Sequence, residues 1–446
     1  MSKKTFSFIS LGCAKNLVDS EEIIGGLQKQ GYRLNTEIDG SAFVIINTCA
    51  FLESARLEAL KTIKEMGKIK SSKDSQLEKI IVLGCIAQYY DEREMKERVP
   101  EVDLVVPISK NHTIPLLVEK MFFPKKDLKG YTLQKNRFLS RPPHSVYIKI
   151  SDGCNNKCSY CLIPSLRGRL RSKSIEDILD EVRAVQKLGA KEINLIAQDT
   201  TAYGLDLYGK YMIVTLLERL CAVKGFEWIR LLYTHPAHIT DDLLKTIQQE
   251  PRICNYVDLP IQHISNKILR LMGRNTSKEE IIALYGKMRE SIPGIVLRTT
   301  VMVGYPGEGD QEFDELLCFL DKYPFERLGA FSFSAEKGTA AFEQDQKVDL
   351  ETSSQRLKKV MEKQKSISRN CNRCLLGKEE RVLIDSFAHN RKKAYGRLSS
   401  QAPEVDGRVI INHISGVSPG DFLQVKITGT GSYDLIGRSL KQTRKV

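Results

Sequence analysis

Eleven cysteines stand in this 446-residue chain, and two groups of three have the type and spacing to hold a metal. Cys154, Cys158 and Cys161 form a C-x3-C-x2-C run in Ser-Asp-Gly-Cys154-Asn-Asn-Lys-Cys158-Ser-Tyr-Cys161. Zinc ribbons use paired C-x2-C with a fourth ligand further along, and no second pair follows nearby. Three thiolates on so short a loop suit a cubane [4Fe–4S] cluster with one iron left open. The second group is dispersed: Cys13, Cys49 and Cys85 each follow a short apolar run, 36 residues apart both times. Thiolates select zinc or iron–sulfur, and three ligands leave one coordination position free. Free cysteine is also a common small core residue, but three of three at the ends of apolar runs argues for ligands.

The elements that must position these thiols follow from periodicity. Thr5–Leu11, Ala42–Thr48 and Lys79–Gly84 are expected as buried strands, separated by amphipathic helices over Asn16–Gln30 and Glu53–Lys68. That alternation implies a parallel sheet, whose strands present their carboxyl ends to one side, where ligands bind. From Val146 the alternation resumes. Strands are expected at Val146–Ile150, Glu192–Ala197, Trp228–Tyr233, Tyr256–Ile261, Val296–Val303 and Leu328–Phe333. Helices are expected over Ile175–Leu188, Thr240–Gln249, Lys278–Ser291 and Glu312–Lys322. Six β/α units suggest a partial barrel, although an open doubly wound sheet would read alike. After a basic helix at Ser353–Asn370, short alternating runs at Arg381–Asp385, Val409–Asn412 and Phe422–Thr428 predict a small all-β barrel. The expected organisation is an α/β domain over residues 1–124, a basic linker over 125–145, a partial (β/α)6 barrel over 146–375 and a β-barrel over 376–446. The linker carries Lys125, Lys126, Lys129, Lys135, Arg137 and Arg141 against Asp127, and Pro142-Pro143 closes it.

An iron with an open position can be chelated by an amino and a carboxylate group, as S-adenosylmethionine does. One-electron reduction then cleaves the sulfonium and releases a carbon radical. C-x3-C-x2-C opening a partial β/α barrel resembles the radical S-adenosylmethionine enzymes. Gln198 and Asp199 after the second barrel strand, and Gly304 to Glu308 after the fifth, read either as cofactor contacts or as ordinary turns. Over essentially its whole length the chain is similar to the methylthiotransferase family, in which the small terminal barrel is called the TRAM domain. The resemblance implies a second [4Fe–4S] cluster on Cys13, Cys49 and Cys85, and insertion of sulfur and methyl at an unactivated C–H bond. One S-adenosylmethionine would methylate sulfur held at the auxiliary cluster, and a second would give the radical that takes hydrogen from the substrate. Leu11-Gly-Cys13-Ala-Lys-Asn-Leu-Val-Asp-Ser-Glu21, Gln198-Asp-Thr-Thr-Ala-Tyr-Gly204 and Leu259-Pro-Ile-Gln-His-Ile-Ser265 look like the branch that modifies an aspartate of a small-subunit ribosomal protein. Tyr233-Thr-His-Pro236 sits nearer the form of the branch that modifies a tRNA adenosine beside the anticodon. The implied partners are the ribosomal protein, free or in the subunit, with rRNA or tRNA contact, and a reducing electron donor.

Charge agrees with either branch. Lys and Arg total 68 against 55 Asp and Glu, for a net charge of +13. Residues 377–446 hold twelve basic against seven acidic side chains. A basic surface binds phosphate regardless of sequence, and equally suits a ribosomal protein embedded in rRNA. The composition, 41% hydrophobic and 28% charged, excludes disorder as the main state. No apolar run approaches the ~20 residues of a spanning helix. Ser10-Leu-Gly-Cys13 faintly resembles a lipoprotein cleavage site, but the preceding apolar stretch is too short; the expected location is the cytoplasm. Cys371 and Cys374 are read as structural or incidental, and Cys221, Cys254 and Cys318 as core. The histidines show no metal-ligand spacing; His235 and His238 share a loop, where neutral polar roles are expected. Arg167, Arg169 and Arg171 suit a carboxylate, of cofactor or substrate, or form a solvated basic loop.

Overall fold

A computed structural model describes residues 4–125, 137–389, 391–412, 414 and 416–440. They form two compact units. The first holds residues up to 141 together with 152–155 and 161–170, and the second holds the remainder.

The first unit contains a five-stranded parallel sheet of β1 (Thr5–Ser10), β2 (Arg33–Leu34), β3 (Phe43–Thr48), β4 (Lys79–Gly84) and β5 (Leu104–Pro107), in the order β2-β1-β3-β4-β5. Strand periodicity sends alternate side chains of β3 and β4 to opposite faces. Val44, Ile46, Ile80 and Val82 pack with Ala59, Ile63 and Met66 of helix α2 (Glu53–Lys70). Phe43, Ile45, Ile81 and Leu83 pack with Ile23, Ile24 and Leu27 of helix α1 (Ala14–Lys29). Both faces are covered, which is why β3 reads as a continuous apolar run until Asn47. The two edge strands were not expected from the sequence, because two residues in β2 and four in β5 carry too little pattern. Lys126, Asp127, Lys129 and Lys135 of the basic segment lie outside the described residues. Its end is a packed element, since Arg137 donates to Glu21 Oε2 through Nε (2.9 Å) and Nη2 (2.7 Å).

The second unit begins with six parallel strands: β6 (Ser145–Lys149), β7 (Glu192–Ile196), β8 (Trp228–Leu231), β9 (Ile253–Asp258), β10 (Val296–Val303) and β11 (Arg327–Ser332). They neighbour one another in chain order. A doubly wound sheet reverses its strand order at a switch point; this one does not, so the β/α units wind as a partial barrel. Side-chain caps start its helices, Ser174 before Ile175–Lys187, Thr240 before Asp241–Gln249 and a Ser277/Glu280 capping box before Lys278–Ser291. Each satisfies amide donors that the first helical turn leaves without partners. Strand β9 ends three residues before the expected Ile261. Pro260 has no amide to donate to a ladder, and Gln262 adopts φ +70°.

Helix Leu350–Arg373 packs beside β11, with Gln364 Nε2 donating to Phe325 O at 2.9 Å. Beyond it, β12 (Glu379–Phe387), β13 (Lys393–Arg397), β14 (Val409–Asn412), β15 (Phe422–Thr430) and β16 (Leu435–Ser439) close a barrel in the order β12-β13-β14-β16-β15. Leu423, Val425 and Ile427 point inward while Gln424 and Lys426 face solvent. Among the described residues no helix is long and apolar enough to cross a membrane.

Candidate active site

Parallel register brings the dispersed cysteines together. Ser10 pairs with Asn47, and Thr48 pairs with Gly84. Strands β1, β3 and β4 are adjacent and end level, so Cys13, Cys49 and Cys85 follow three neighbouring strand ends. Cys13 caps α1, Cys49 is half-buried and Cys85 is buried; all three are free thiols. Gly12 lies so close to Cys49 that a Cβ there would stand 3.0 Å from Cys49 Cβ. Burial pushes the Cys85 thiol up to about 11, against the pull of the Arg167 charge, and Cys49 and Cys13 raise it further. Burial raises Cys49 as well, with Cys13 again contributing. The three sulfurs thus share one electrostatic neighbourhood, a soft donor set that suits an iron–sulfur group.

Asparagines fix this edge. Asn16 Nδ2 donates to Leu11 O (3.0 Å) and Thr48 O (2.8 Å), while Asn47 Nδ2 donates to Asn16 O and Ser20 Oγ, both at 2.9 Å. Arg167 is turned into the same region, its side chain 1% exposed. Nη1 binds both Asp152 oxygens at 3.0 Å, and Nη2 donates to Asn16 Oδ1 (2.5 Å) and Asp19 Oδ2 (3.2 Å). Despite the burial, Asp19 and Asp152 hold its charge on firmly. Arg167 is therefore committed to these carboxylates and corrects the reading of it as a solvated or substrate-gripping arginine; Arg169 and Arg171 are exposed.

The tight cysteine loop is held by its own contacts. Cys154 N donates to Gly168 O (3.1 Å), and Cys161 Sγ accepts from Ile163 N (3.4 Å). Ser159 donates to Met272 O through N (2.9 Å) and to Leu271 O through Oγ (2.8 Å). Arg274 Nη1 approaches Cys158 Sγ at 3.9 Å. Asn156, inside the loop, donates to Asp199 Oδ2 at 2.9 Å, which ties the end of β7 to the cysteines.

Asp199 also meets His238 Nδ1 at 2.8 Å and accepts from Thr201 and Ala202. Against its burial, His238 and Thr201 hold its carboxyl down at about 2. Burial and then the Arg274 charge push His235 down to about 3, so that imidazole is neutral near pH 7. Possible ligand atoms of Asp199, His235 and His238 all lie within 4.8 Å of one another, a proximity that histidine spacing did not reveal. Gln198 is half-buried beside Asp199. Glu308 is buried, with Oε1 bound by Gly304 N (2.9 Å) and Arg356 Nη1 (2.8 Å). A Cβ at Gly304 would meet Ser353 Oγ at 2.1 Å, so the neighbouring helix by itself demands glycine there. Among the buried polar atoms at these strand ends, Gln262 Oε1 has no hydrogen-bond partner, while His263 Nε2 and Glu308 Oε2 face each other at 3.4 Å. The free Gln262 oxygen suits a polar cofactor. Tyr233 and Gln262, both at positive φ, mark strained turns at the mouth of the partial barrel. Cys221 and Cys254 are core as expected, whereas Cys318 is exposed on its helix, a correction. Cys371 and Cys374 end the helix Leu350–Arg373 and are half-buried and exposed.

Three family descriptions match the sequence: the uncharacterized protein family UPF0004 over residues 5–107, the radical SAM superfamily over 148–320 and the TRAM domain over 376–440. Proteins named ribosomal protein uS12 methylthiotransferase RimO align along nearly the full length. That of Geobacter sulfurreducens is 41% identical over 98% of both chains. That of Acetivibrio thermocellus is 39% identical over 99% of this chain and 100% of its own, and that of Pelotomaculum thermopropionicum 42% over 97% and 98%. Among solved structures, the radical S-adenosylmethionine methyltransferase TsrM from Kitasatospora setae, with cobalamin and a [4Fe-4S] cluster bound, superposes with a TM-score of 0.53 at 13% identity. It covers 74% of this chain and 75% of its own. The cobalamin-dependent enzyme OxsB gives 0.52 at 14% identity, over 81% and 56%. These two likenesses concern the fold alone.

Proposed function

The chain belongs to the RimO family of radical S-adenosylmethionine methylthiotransferases, and from that membership we propose how its residues divide the labour of modifying ribosomal protein uS12. Cys154, Cys158 and Cys161 hold the [4Fe–4S] cluster at which S-adenosylmethionine binds. When bound, the pair supplies reductive cleavage of the sulfonium and a carbon radical able to take hydrogen from an unactivated C–H bond. Cys13, Cys49 and Cys85 hold a second [4Fe–4S] cluster, beside which sulfur and methyl are delivered. The acceptor is the β-carbon of an aspartate in uS12, free or in the small subunit. Gln198, Asp199, Gly304 and Glu308 belong to the cofactor's surroundings. Asp199 does so through Asn156 in the cysteine loop, while Gly304 and Glu308 shape the turn in which Glu308 Oε1 accepts from Gly304 N and Oε2 faces His263. The basic terminal barrel contacts rRNA around the substrate, an external donor supplies electrons, and the reaction takes place in the cytoplasm.

The observation that carries the two-cluster reading is the register of β1, β3 and β4, which brings three thiols to adjacent strand ends. Anaerobic reconstitution tests it. The full chain is expected to take up about eight iron atoms, and the triple Cys13→Ala/Cys49→Ala/Cys85→Ala variant about four. Equal iron in both overturns the second cluster. The substrate is tested by mass spectrometry on cells lacking the chain. Loss of the methylthio mass from the uS12 aspartate supports the reading; loss from tRNA adenosine alone replaces it with the tRNA reaction.

A further inference from the structure

We propose that Arg274 is a positioning residue for the Cys154/Cys158/Cys161 cluster: acting through Cys158, its buried guanidinium raises the cluster's reduction potential. The inference rests on the assignment of a [4Fe–4S] cluster to those cysteines. Arg274 is 8% exposed. Nη2 donates to Pro260 O at 2.6 Å, Nη1 reaches Cys158 Sγ at 3.9 Å, and Nε has no hydrogen-bond partner. Among the described residues no carboxylate pairs with it. Three other buried arginines do have such partners: Arg167 has Asp19 and Asp152, Arg230 has Glu192, and Arg356 has Glu308; Arg327, 6% exposed, is held by the Asn372 amide oxygen instead. A buried cation without a carboxylate counter-ion is costly, and the groups that support the Arg274 charge are Tyr160 and the sulfur of the proposed ligand Cys158.

The backbone also moulds Arg274 to the cysteine loop. It follows the turn after helix Asn266–Leu271, whose Leu271 and Met272 carbonyls accept from Ser159. A Cβ on Gly273 would stand 2.6 Å from Lys157 O, so the turn lies directly against the loop. Hydrogen bonds and net charge at the coordinating sulfurs are levers on iron–sulfur potentials. Reduction adds one negative charge to the cluster, and a fixed cation beside a ligand sulfur favours that state.

Arg274→Met removes the charge at similar volume, and Arg274→Lys keeps a charge without the fork. Both are made in the Cys13→Ala/Cys49→Ala/Cys85→Ala background, so that a single cluster is read. Electron paramagnetic resonance follows a titration with dithionite and mediators. The step is addition of one electron, with dithionite oxidised to sulfite and no protein bond made or broken. In Arg274→Met the ratio of reduced to oxidised cluster at a fixed potential is expected to fall about tenfold, ~59 mV for one electron; Arg274→Lys falls less. An unchanged midpoint in Arg274→Met at equal iron content overturns the proposal. If Arg274→Met assembles no cluster, Arg274→Lys decides: a more negative midpoint supports the proposal, and an unmoved one overturns it. A parent triple variant with no iron and no cluster signal would instead overturn the cysteine assignment on which all of this stands.

Discussion

Cys13, Cys49 and Cys85 differ in exposure although they follow three neighbouring strands: exposed, half-buried and buried in that order. On the proposed assignment, Cys13 is the outermost of the three ligands, where an incoming sulfur species would meet the site, and it is remote in sequence from the C-x3-C-x2-C loop. Cys154→Ala is therefore expected to abolish reductive cleavage of S-adenosylmethionine, measured as 5′-deoxyadenosine after chemical reduction. Cys13→Ala is expected to keep cleavage and lose methylthio transfer to uS12; loss of cleavage with the loop cluster intact would sink that division. His235 supports a pH prediction. Its imidazole is depressed to about 3 by burial and the Arg274 charge, against about 6.5 when unfolded. Between those values the unfolded chain binds the extra proton, so stability falls as pH drops below about 6.5, by roughly 1 kcal/mol per pH unit. Urea melts at pH 7.5 and 5.5 should show this slope in the wild type and a flatter one in His235→Gln. The placement of Cys13, Cys49 and Cys85 after three adjacent strands was legible because strand ends are local properties of a sequence. Arg167 and Arg274 were not, because Asn16 lies 151 residues from the first and Cys158 lies 116 from the second.

At the scale of elements, the position of a thiol depends on how closely one strand end can approach the next. Gly84 has φ +89°, and a Cβ there would stand 2.4 Å from Asn47 Oδ1 and 2.5 Å from Thr48 O. Gly189, just past helix Ile175–Lys187, has φ +98° and open space around it. The two glycines therefore separate conformational strain from collision. Gly189→Ala is expected to cost about 1–2 kcal/mol, the penalty of a left-handed alanine. Gly84→Ala adds the displacement of Asn47 or Thr48 beside Cys49, so it should cost clearly more and lower the iron bound per chain. Denaturant melts and iron analysis of the two variants check this; equal losses with normal iron would refute the packing argument. Strands β3 and β4 were readable nearly to the residue because burial on both faces makes them almost continuously apolar, and β10 because its β-branched residues alternate between half-buried and buried positions. Strands β13 and β16 were not, because Lys393, Arg397, Gly437 and Arg438 interrupt the alternation. The early end of β9, at Asp258 rather than Ile261, has a different origin, in a proline and a left-handed glutamine that follow it.

For the molecule as a whole, composition marks where the terminal barrel begins but not how it is attached. Within the second unit, the attachment is a buried ionic network around Glu192, which is 0% exposed. Glu192 on β7 binds Arg230 of β8 at 2.9 Å and Arg397 of β13 at 2.7 Å, and Arg397 continues to Asp385 at 2.8 Å. Tyr256 donates to Asp406 at 2.8 Å, and Trp228 meets Phe422 edge-on with ring centres 4.9 Å apart. A barrel fastened through a largely buried, partly charged contact keeps one fixed orientation, since each arginine has to find its carboxylate. The network also makes that orientation sensitive to acid. Burial opposes ionisation of Glu192, yet Arg397 and Arg230 hold its carboxyl down at about 2, below the usual value near 4.3. A depressed carboxylate contributes stability that is present above its unfolded pKa and lost as pH falls through the folded one, so this contribution disappears between about pH 4.3 and 2. Glu192→Ala at neutral pH leaves the buried Arg230 without a carboxylate and Arg397 with Asp385 alone, and is expected to destabilise by about 3–5 kcal/mol. Replacing Glu192, Arg230 and Arg397 together with methionine removes the buried guanidinium groups, leaves the part-exposed Asp385 with His144, and should cost much less. Denaturant melts of the single and triple variants decide the matter. If the triple variant is as unstable as the single one, packing rather than charge compensation holds the terminal barrel in place.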